Sequence, residues 1–345
     1  MSFRVIKQGG LGNAQSPFRV MEDTGREVTW VNRFLDQQRV RSVADSTLRS
    51  YAHDLLHFLR WWVDVNHTDA ITDQALTEST LLDYIRFQTN QQPRPAAASI
   101  NRRVGIAERA LGREFPQGQL PFVPGFQYGY WRPSLLGVAR PSQAMSRLRV
   151  KTPKRVIVPL SVDEVARFWA SFCTSRDLAI VGLMLFDGLR SCEVLALNRD
   201  DLLLAESQMR VQGKGNKQRW LPLAPETIQL LDHYLRLERP PQCGSALFVG
   251  LKGRARGRRM TPAGLRSLFR HHRRTTRVEK ANPHRFRHTF ATDMVRAGIS
   301  LPALMQLMGH SQIQTTLVYV QLTSQDVHQQ YARAVARCIR PMRPT

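Results

Sequence analysis

The sequence contains no run of about 18 uncharged apolar residues, the length that a membrane-spanning helix needs. Its N-terminal stretch also lacks the apolar segment of a secretory signal peptide. The four cysteines are scattered and include no C-x-x-C pair. This spacing predicts reduced thiols in a cytoplasmic protein rather than a disulfide framework or a zinc site.

Acidic residues are few compared with basic ones. The chain has 27 Asp and Glu against 50 Lys and Arg, a formal charge of +23. An excess of this size predicts a polyanionic partner, and double-stranded DNA is the leading candidate. An anionic membrane is a weaker candidate, because no basic amphipathic helix with a large apolar face is evident.

The 345 residues, 42% of them hydrophobic, are enough for two domains. Residues 1–27 are rich in glycine and polar residues without periodicity, which predicts a flexible N-terminal arm. Residues 28–115 show four helical apolar patterns and predict a small helical DNA-binding domain. Residues 116–155 contain six prolines and a basic run, typical of a long linker. Residues 156–345 form the last predicted domain.

This last domain mixes helical and strand patterns. A capping box at Ser161 and Glu164 predicts a helix start, as does Thr261 before a proline. Between Leu202 and Leu223 the apolar period shortens to two, which predicts two or three strands with a hairpin turn at 213–216. The predicted fold class is mainly α with a small antiparallel β-sheet.

Basic side chains in the first domain and the linker are candidate DNA contacts. They are Arg102 and Arg103 in the fourth helix, and Arg147, Arg149, Lys151 and Lys154 in the linker. The alternative is that each is simply a solvated surface charge. The linker aromatics could likewise stack on bases, or could pin the linker to its own domain.

A histidine-rich, basic stretch near the C-terminus has the pattern of a phosphate site. His284, Arg287 and His288 share one helical face, and Gly298 and Gly309 are expected to end two successive helices. His310 follows the second glycine, and Tyr319 lies in an uncharged segment after it. We reject a metal site at His284 and His288, because arginines lie between them.

Cleaving a phosphodiester needs a nucleophile, donors for the non-bridging oxygens and an acid for the leaving 5′ oxygen. Tyr319 can be the nucleophile and form a phosphotyrosyl ester. Arg190 and Arg287 can bind the oxygens through their guanidinium forks. Lys214, in the predicted hairpin turn, can deliver a proton. His310 can donate to the phosphate, and His284 can accept the phenolic proton or position the phosphate.

In this order the motifs resemble those of the tyrosine recombinase (phage integrase) family. They are G-L-R-x-x-E at 188–193, G-K-G-x-K-x-R at 213–219, H-x-x-R-H at 284–288, and G-H-S at 309–311 ahead of Tyr319. Each motif is weak alone, but four in the expected order make chance improbable. The match covers roughly residues 156–330.

The resemblance implies a two-domain DNA clamp that breaks and rejoins DNA through a 3′-phosphotyrosyl intermediate, without cofactor, metal or ATP. It assigns catalysis to Arg190, Lys214, His284, Arg287, His310 and Tyr319. Glu193 would support Arg190, and His288 would lie behind the others. It further implies a homotetramer on DNA, with or without sister recombinases, coupled by a C-terminal helix, in the bacterial nucleoid. Lys217 and Arg219 are expected to be DNA contacts or solvated strand charges.

Two departures from the family pattern accompany this resemblance. Asp187 replaces the small polar residue usual before Gly188, which is expected to alter the charge of the pocket. The linker at 116–155 is unusually long. Two other functions stay open from the residues alone: a type IB topoisomerase-like enzyme, and a DNA-binding protein that has lost cleavage.

Overall fold

The computed structural model describes residues 2–9, 14–118, 120, 148–152, 158–213 and 218–309. The chain divides into two compact units, Met1–Arg155 and Val156–Thr345. The described residues form mostly helices with two small antiparallel sheets, so the predicted fold class is confirmed. In this part of the chain, no helix combines the length and apolarity needed to cross a membrane.

The N-terminal segment is not a flexible arm, and that prediction was wrong. Strands β1 (Phe3–Lys7) and β2 (Phe18–Glu22) pair antiparallel, with Val5 opposite Val20. Phe3, Phe18 and Val20 are buried in the core of the first unit. Burial of these side chains fixes the hairpin, since removing each from water stabilises it by about 1.5–3 kcal/mol.

Four helices complete the first unit, as the apolar periodicity predicts. They are α1 (Thr29–Val40), α2 (Asp45–Asn66), α3 (Glu78–Asn90) and α4 (Ala97–Glu114). Their apolar faces, together with the hairpin, enclose one core. Helix α2 has no side-chain cap, because Ala44 occupies its N-terminal capping position.

Part of the predicted linker docks on the first unit. Leu148 is buried in the same core. The Asn101 side chain on α4 accepts from the Val150 N–H at 2.8 Å and donates to the Val150 carbonyl at 2.9 Å. Residues 148–152 are therefore pinned to α4, whereas 121–147 and 153–157, with the linker aromatics, lie outside the described residues.

The second unit begins with three helices and a small sheet. The helices are α5 (Val162–Ala170), α6 (Ser175–Leu185) and α7 (Ser191–Ala196). The sheet follows, with strands β3 (Leu202–Leu203), β4 (Gln208–Gln212) and β5 (Gln218–Pro222) in antiparallel order. The predicted strands in 202–223 are confirmed; residues 214–217 of the turn are outside the described residues.

Four more α-helices follow in the described part of this unit. They are α8 (Pro225–His233), α9 (Pro262–Thr276), α10 (Pro283–Ala297) and α11 (Leu301–Met308). Phe168 of α5, Phe269 of α9 and Phe286 of α10 meet with ring centroids 5.2–5.9 Å apart. This aromatic cluster fixes α10, which carries the histidine and arginine motif, against the rest of the core.

The local signals for helix ends are confirmed. Ser161 and Glu164 form the capping box of α5, and the Thr261 side chain caps α9. Gly298 and Gly309 end α10 and α11 in the left-handed conformation that glycine adopts without steric cost.

The sequence predicted that Asp187 alters the charge of the arginine pocket. This prediction was wrong, because the Asp187 carboxyl faces the first turn of α8. Its oxygens accept from the Ala224 N–H at 2.8 Å and the Thr227 hydroxyl at 2.7 Å. Burial raises the pKa of Asp187 to about 7, although both hydrogen bonds oppose this shift. The residue ties the end of α6 to the start of α8.

This raised pKa predicts a pH-dependent stability. The folded pKa lies above the unfolded value of 3.8, so the contribution of Asp187 is complete below about pH 4 and is lost as pH rises through 7. The loss amounts to at most about 4 kcal/mol, given 1.36 kcal/mol per pKa unit. Asp187→Asn keeps an acceptor for Ala224 and cannot ionise. We expect its stability relative to wild type to increase between pH 4 and 8, measured by urea unfolding.

The matched control is Asp200→Asn at an exposed position. Its stability relative to wild type should not follow the same pH curve. A pH-independent difference between Asp187→Asn and wild type would contradict the raised pKa.

Candidate active site

The first arginine of the site is placed by a tight turn after α6. Gly188 has φ +68°, and a Cβ at this position would lie 2.4 Å from the Phe290 ring. Only glycine fits both the conformation and the close approach. The turn leads to Arg190, which occupies the N-terminal capping position of α7. The arginine is thereby directed into the cluster, with its side chain 35% exposed.

Glu193, one turn into α7, is the centre of this cluster. Its carboxylate accepts from the Arg190 backbone N–H and Nη1, both at 2.9 Å. Arg219 from β5 donates to both carboxylate oxygens at 3.1 Å. Arg287 from α10 places Nη1 at 3.8 Å from Oε2. One buried carboxylate therefore faces three guanidiniums from three different elements.

The charge state of Glu193 follows from these partners. Burial alone would raise its pKa, but hydrogen bonds from Arg219 and from the Arg190 backbone N–H, with the positive charges of both arginines, lower it overall. Glu193 is therefore ionised at neutral pH. With three arginines around a single negative charge, the cluster keeps an excess of positive charge.

Arg287 is buried, and its guanidinium also binds backbone carbonyls. It donates from Nη1 to the Gly188 carbonyl at 2.5 Å and from Nη2 to the Met308 carbonyl at 2.7 Å. Arg190 Nη1 donates to the same Met308 carbonyl at 3.1 Å. The two arginines predicted to bind phosphate are therefore brought together at the C-terminal end of α11.

His284 lies at the edge of this cluster, in the first turn of α10. Partial desolvation of its ring lowers the pKa, and the charges of Arg287, Arg285 and Arg190 lower it further. The imidazole is therefore neutral at pH 7 and can accept a proton. His284 lies one turn before Arg287 on α10, so the two side chains share one face of the helix.

His288 is buried one turn further along α10. Its Nδ1 lies 3.3 Å from the Thr292 hydroxyl, and burial, with the nearby charges of Arg285 and His284, lowers its pKa to about 4. A neutral, buried histidine suits its predicted place behind the reacting groups. Within the described ranges, no group of three or more His, Cys, Asp or Glu side chains is arranged to hold a metal ion.

Arg219 does not lie where the sequence suggested. Its side chain is 14% exposed and its guanidinium is engaged by Glu193, so it is not a solvated strand charge. The register of β5 offered a signal for this role. Arg219 and Leu221 share one face of β5, and Leu221 is buried, as is Leu223 directly after the strand.

The remaining catalytic candidates lie outside the described residues. They are Lys214 between β4 and β5, and His310 and Tyr319 after α11. The same holds for three predicted DNA contacts, Arg147, Lys154 and Lys217, and for the predicted C-terminal helix. Gly309, the last described residue before His310, lies beside the arginine cluster.

The predicted DNA contacts of the first unit line a cleft between α2 and α4. The cleft has a volume of about 590 Å³, and its cationic and aromatic lining includes His53, His57, Arg60, Trp61, Phe87, Arg102 and Arg103. Arg102 pairs with buried Asp54 at 2.9 Å but remains 56% exposed. Arg149 and Lys151 are exposed on the docked segment.

Arg103 is held within this cleft. Its Nη1 lies 3.2 Å from Nε2 of His57 and 3.3 Å from Oε1 of Gln88. Because the guanidinium can only donate, His57 Nε2 accepts and the opposite ring nitrogen, Nδ1, carries the proton toward the Tyr84 hydroxyl at 2.8 Å. Arg103 is therefore less available to a ligand than Arg102.

Comparison with known proteins identifies the family. The model of the phage integrase family matches residues 148–326, half of the chain. The chain is 30% identical over 305 residues to tyrosine recombinase XerD of Lacticaseibacillus casei, covering 85% of this chain and 92% of that protein. It is 34% identical over 215 residues to tyrosine recombinase XerC of Alcanivorax borkumensis, covering 59% and 68%.

Solved structures share the fold at lower identity. The XerH site-specific recombinase bound to its difH substrate aligns with a TM-score of 0.60 and 20% identity, covering 88% of this chain and 84% of that one. The Tn1549 transposon integrase in complex with circular intermediate DNA aligns with a TM-score of 0.61 and 17% identity, covering 88% and 98%. From the family match and the XerD identity together, the chain belongs to the phage integrase family and is a tyrosine site-specific recombinase.

Proposed function

We propose that this recombinase cleaves and rejoins duplex DNA through a 3′-phosphotyrosyl intermediate formed on Tyr319, without metal or ATP. The observation that carries the proposal is the convergence of Arg190 and Arg287 on the Met308 carbonyl at the C-terminal end of α11, close before Tyr319 in sequence. The two arginines come from the turn before α7 and from α10, nearly one hundred residues apart, and supply the positive charge that a phosphodiester requires.

The arginine cluster serves the non-bridging oxygens. As the phosphate passes to its pentacoordinate transition state, negative charge develops on these oxygens, and fixed guanidiniums stabilise it without reorganisation. Arg190 is 35% exposed and offers the free donors, whereas Arg287 is held by the Gly188 and Met308 carbonyls. The positive charge that Glu193 does not neutralise stabilises the negative charge on these oxygens, as a divalent ion does in other phosphoryl-transfer enzymes.

The remaining groups move protons. The Tyr319 oxygen forms a bond to phosphorus while the bond from phosphorus to the 5′ oxygen breaks. Neutral His284 takes the phenolic proton, and Lys214 gives a proton to the departing 5′ oxygen. His310 donates to a non-bridging oxygen. The ester conserves the bond energy, so attack by a 5′ hydroxyl of the partner strand reseals the DNA in the reverse sequence of steps.

The basic surfaces support double-stranded DNA as the substrate. The cleft on the first unit presents Arg102 beside the exposed Arg149 and Lys151, and the chain as a whole carries +23. XerH was solved on its difH substrate, and a λ integrase dimer on a core site. We propose that both units of this chain bind duplex DNA and act in the bacterial nucleoid.

Strand exchange between two duplexes requires four active sites, so we propose a homotetramer on DNA, alone or with sister recombinases. A type IB topoisomerase-like activity would instead relax one duplex as a monomer. The relatives are recombinases and integrases, which favours exchange. If the protein relaxes supercoiled DNA but never joins strands of two duplexes, it is a topoisomerase-like enzyme. If it binds DNA but forms no covalent adduct, it is a DNA-binding protein that has lost cleavage.

Tyr319 is the proposed nucleophile. Tyr319→Phe removes only the reacting oxygen, so covalent adduct formation should fall by at least about 1,000-fold while DNA binding is retained. The substrate is a nicked suicide duplex. Its sequence is selected from a library with randomised flanks, by covalent capture on the wild-type protein. Tyr331→Phe, in the same C-terminal segment, is the matched control and should keep the adduct. Adduct persisting in Tyr319→Phe would place the nucleophile elsewhere.

Lys214 is the proposed general acid. Lys214→Ala should slow cleavage by about 100-fold or more on the normal substrate, because the 5′ oxygen leaves poorly without a proton. A substrate with sulfur at the 5′ bridging position needs no acid, and the variant should cleave it nearly as fast as wild type. Lys217→Ala, from the same turn, should slow both substrates equally if at all. Equal slowing of both substrates by Lys214→Ala would remove its assigned role.

A further inference from the structure

The C-terminal end of α11 is held by three arginines. Arg219 Nε donates to the Leu307 carbonyl at 3.2 Å, and Arg190 and Arg287 both donate to the Met308 carbonyl. The last carbonyls of a helix have no partner within it, and they form the negative end of its dipole. The three guanidiniums satisfy them, so they also determine where the chain leaves α11.

Arg219 also determines how many bonds the Glu193 carboxylate accepts from Arg190. Its two terminal nitrogens each bind one carboxylate oxygen at 3.1 Å, a bidentate pair that fixes both groups in one plane. Arg190 is left with one side-chain bond to Glu193, from Nη1 to Oε1 at 2.9 Å. Without Arg219, each Glu193 oxygen would lose one donor, and the Arg190 guanidinium could form a second bond to the carboxylate and turn away from a bound phosphate.

Gly309 passes directly over the Arg219 guanidinium. A Cβ at Gly309 would lie 2.8 Å from Arg219 Nη1 and 2.9 Å from Cζ, and the residue has φ +60°. The backbone is therefore in contact with the flat guanidinium at the last residue before His310. Arg219 thus contacts both the support of Arg190 and the start of the segment that carries His310 and Tyr319.

We infer that Arg219 is a positioning residue for DNA cleavage, not a DNA contact. It occupies the Glu193 carboxylate so that Arg190 faces the phosphate, and it holds the backbone at Gly309, directly before His310 in sequence. This inference rests on the proposed function, since it concerns the same reaction.

The test uses Arg219→Gln and Arg219→Lys in the full chain, with the captured suicide duplex. Adduct formation should slow by about 10- to 100-fold in both variants, because neither side chain can bind two carboxylate oxygens and the Leu307 carbonyl together. DNA binding should be unchanged. Arg210→Gln is the matched control: Arg210 lies on the adjacent strand and pairs with Asp201 at 2.9 Å, outside the cluster, so its loss should leave the rate near wild type.

A second substrate separates positioning from general loosening of the fold. A methylphosphonate at the scissile position replaces one charged oxygen by a methyl group and so depends less on a correctly placed Arg190. The defect of Arg219→Gln should shrink on this substrate if the residue acts by positioning. Equal slowing on both substrates would indicate a merely structural role and overturn the inference.

Gly309→Ala provides an independent variant should Arg219→Gln fail to fold. It keeps every charge, but its Cβ would displace the Arg219 guanidinium, so it should show the same substrate-dependent defect. If the wild-type protein forms its Tyr319 adduct and the Arg219 variants form it at the same rate, the inference about Arg219 is overturned and the proposed function is not. A wild-type chain that forms no adduct would instead overturn the proposed function.

Discussion

The sharing of one buried carboxylate by three guanidiniums is the interaction on which the second unit depends. Glu193 cannot neutralise Arg190, Arg219 and Arg287 together, so the cluster retains positive charge although its centre is removed from water. Burying charge in this way is tolerated only where each group is hydrogen-bonded. The carboxylate and the backbone carbonyls of residues 188, 307 and 308 supply those bonds. Fixed positive charges of this kind need no rearrangement when negative charge develops beside them.

Two glycines allow the backbone to approach this cluster. Gly188 places the chain against the Phe290 ring before Arg190, and Gly309 places it against the Arg219 guanidinium before His310. Both have positive φ, and in both a β-carbon would meet a neighbouring group at less than 3 Å. The tight turns in front of two catalytic candidates therefore have the same physical basis. Packing of Phe168, Phe269 and Phe286 holds α10, which carries Arg287 and the Phe290 ring, against α5 and α9.

Local signals in the sequence were sufficient for the described helices of both units and for the caps at Ser161 and Thr261. The pairing of Arg190 with Glu193 came from the family resemblance. What failed depended on distant contacts. The strands of the N-terminal hairpin are short and flank a glycine-containing loop, and Phe3, Phe18 and Val20 are recognisable as core residues only when α1 and α2 are present. Arg219 meets Glu193 across 26 residues and Leu307 across 88, so a pattern along the chain could not predict both partners.

The hairpin makes the first residues of the chain part of the first unit's core. Phe3 is 1% exposed, and its carbonyl accepts from Arg60 of α2 at 2.5 Å. A shortened protein beginning at α1 would lose three buried side chains and uncover the faces of α1 and α2 that they shield. Such an apolar surface favours aggregation. Limited proteolysis aimed at isolating a minimal DNA-binding fragment should therefore yield a soluble product only if the cut leaves both strands attached.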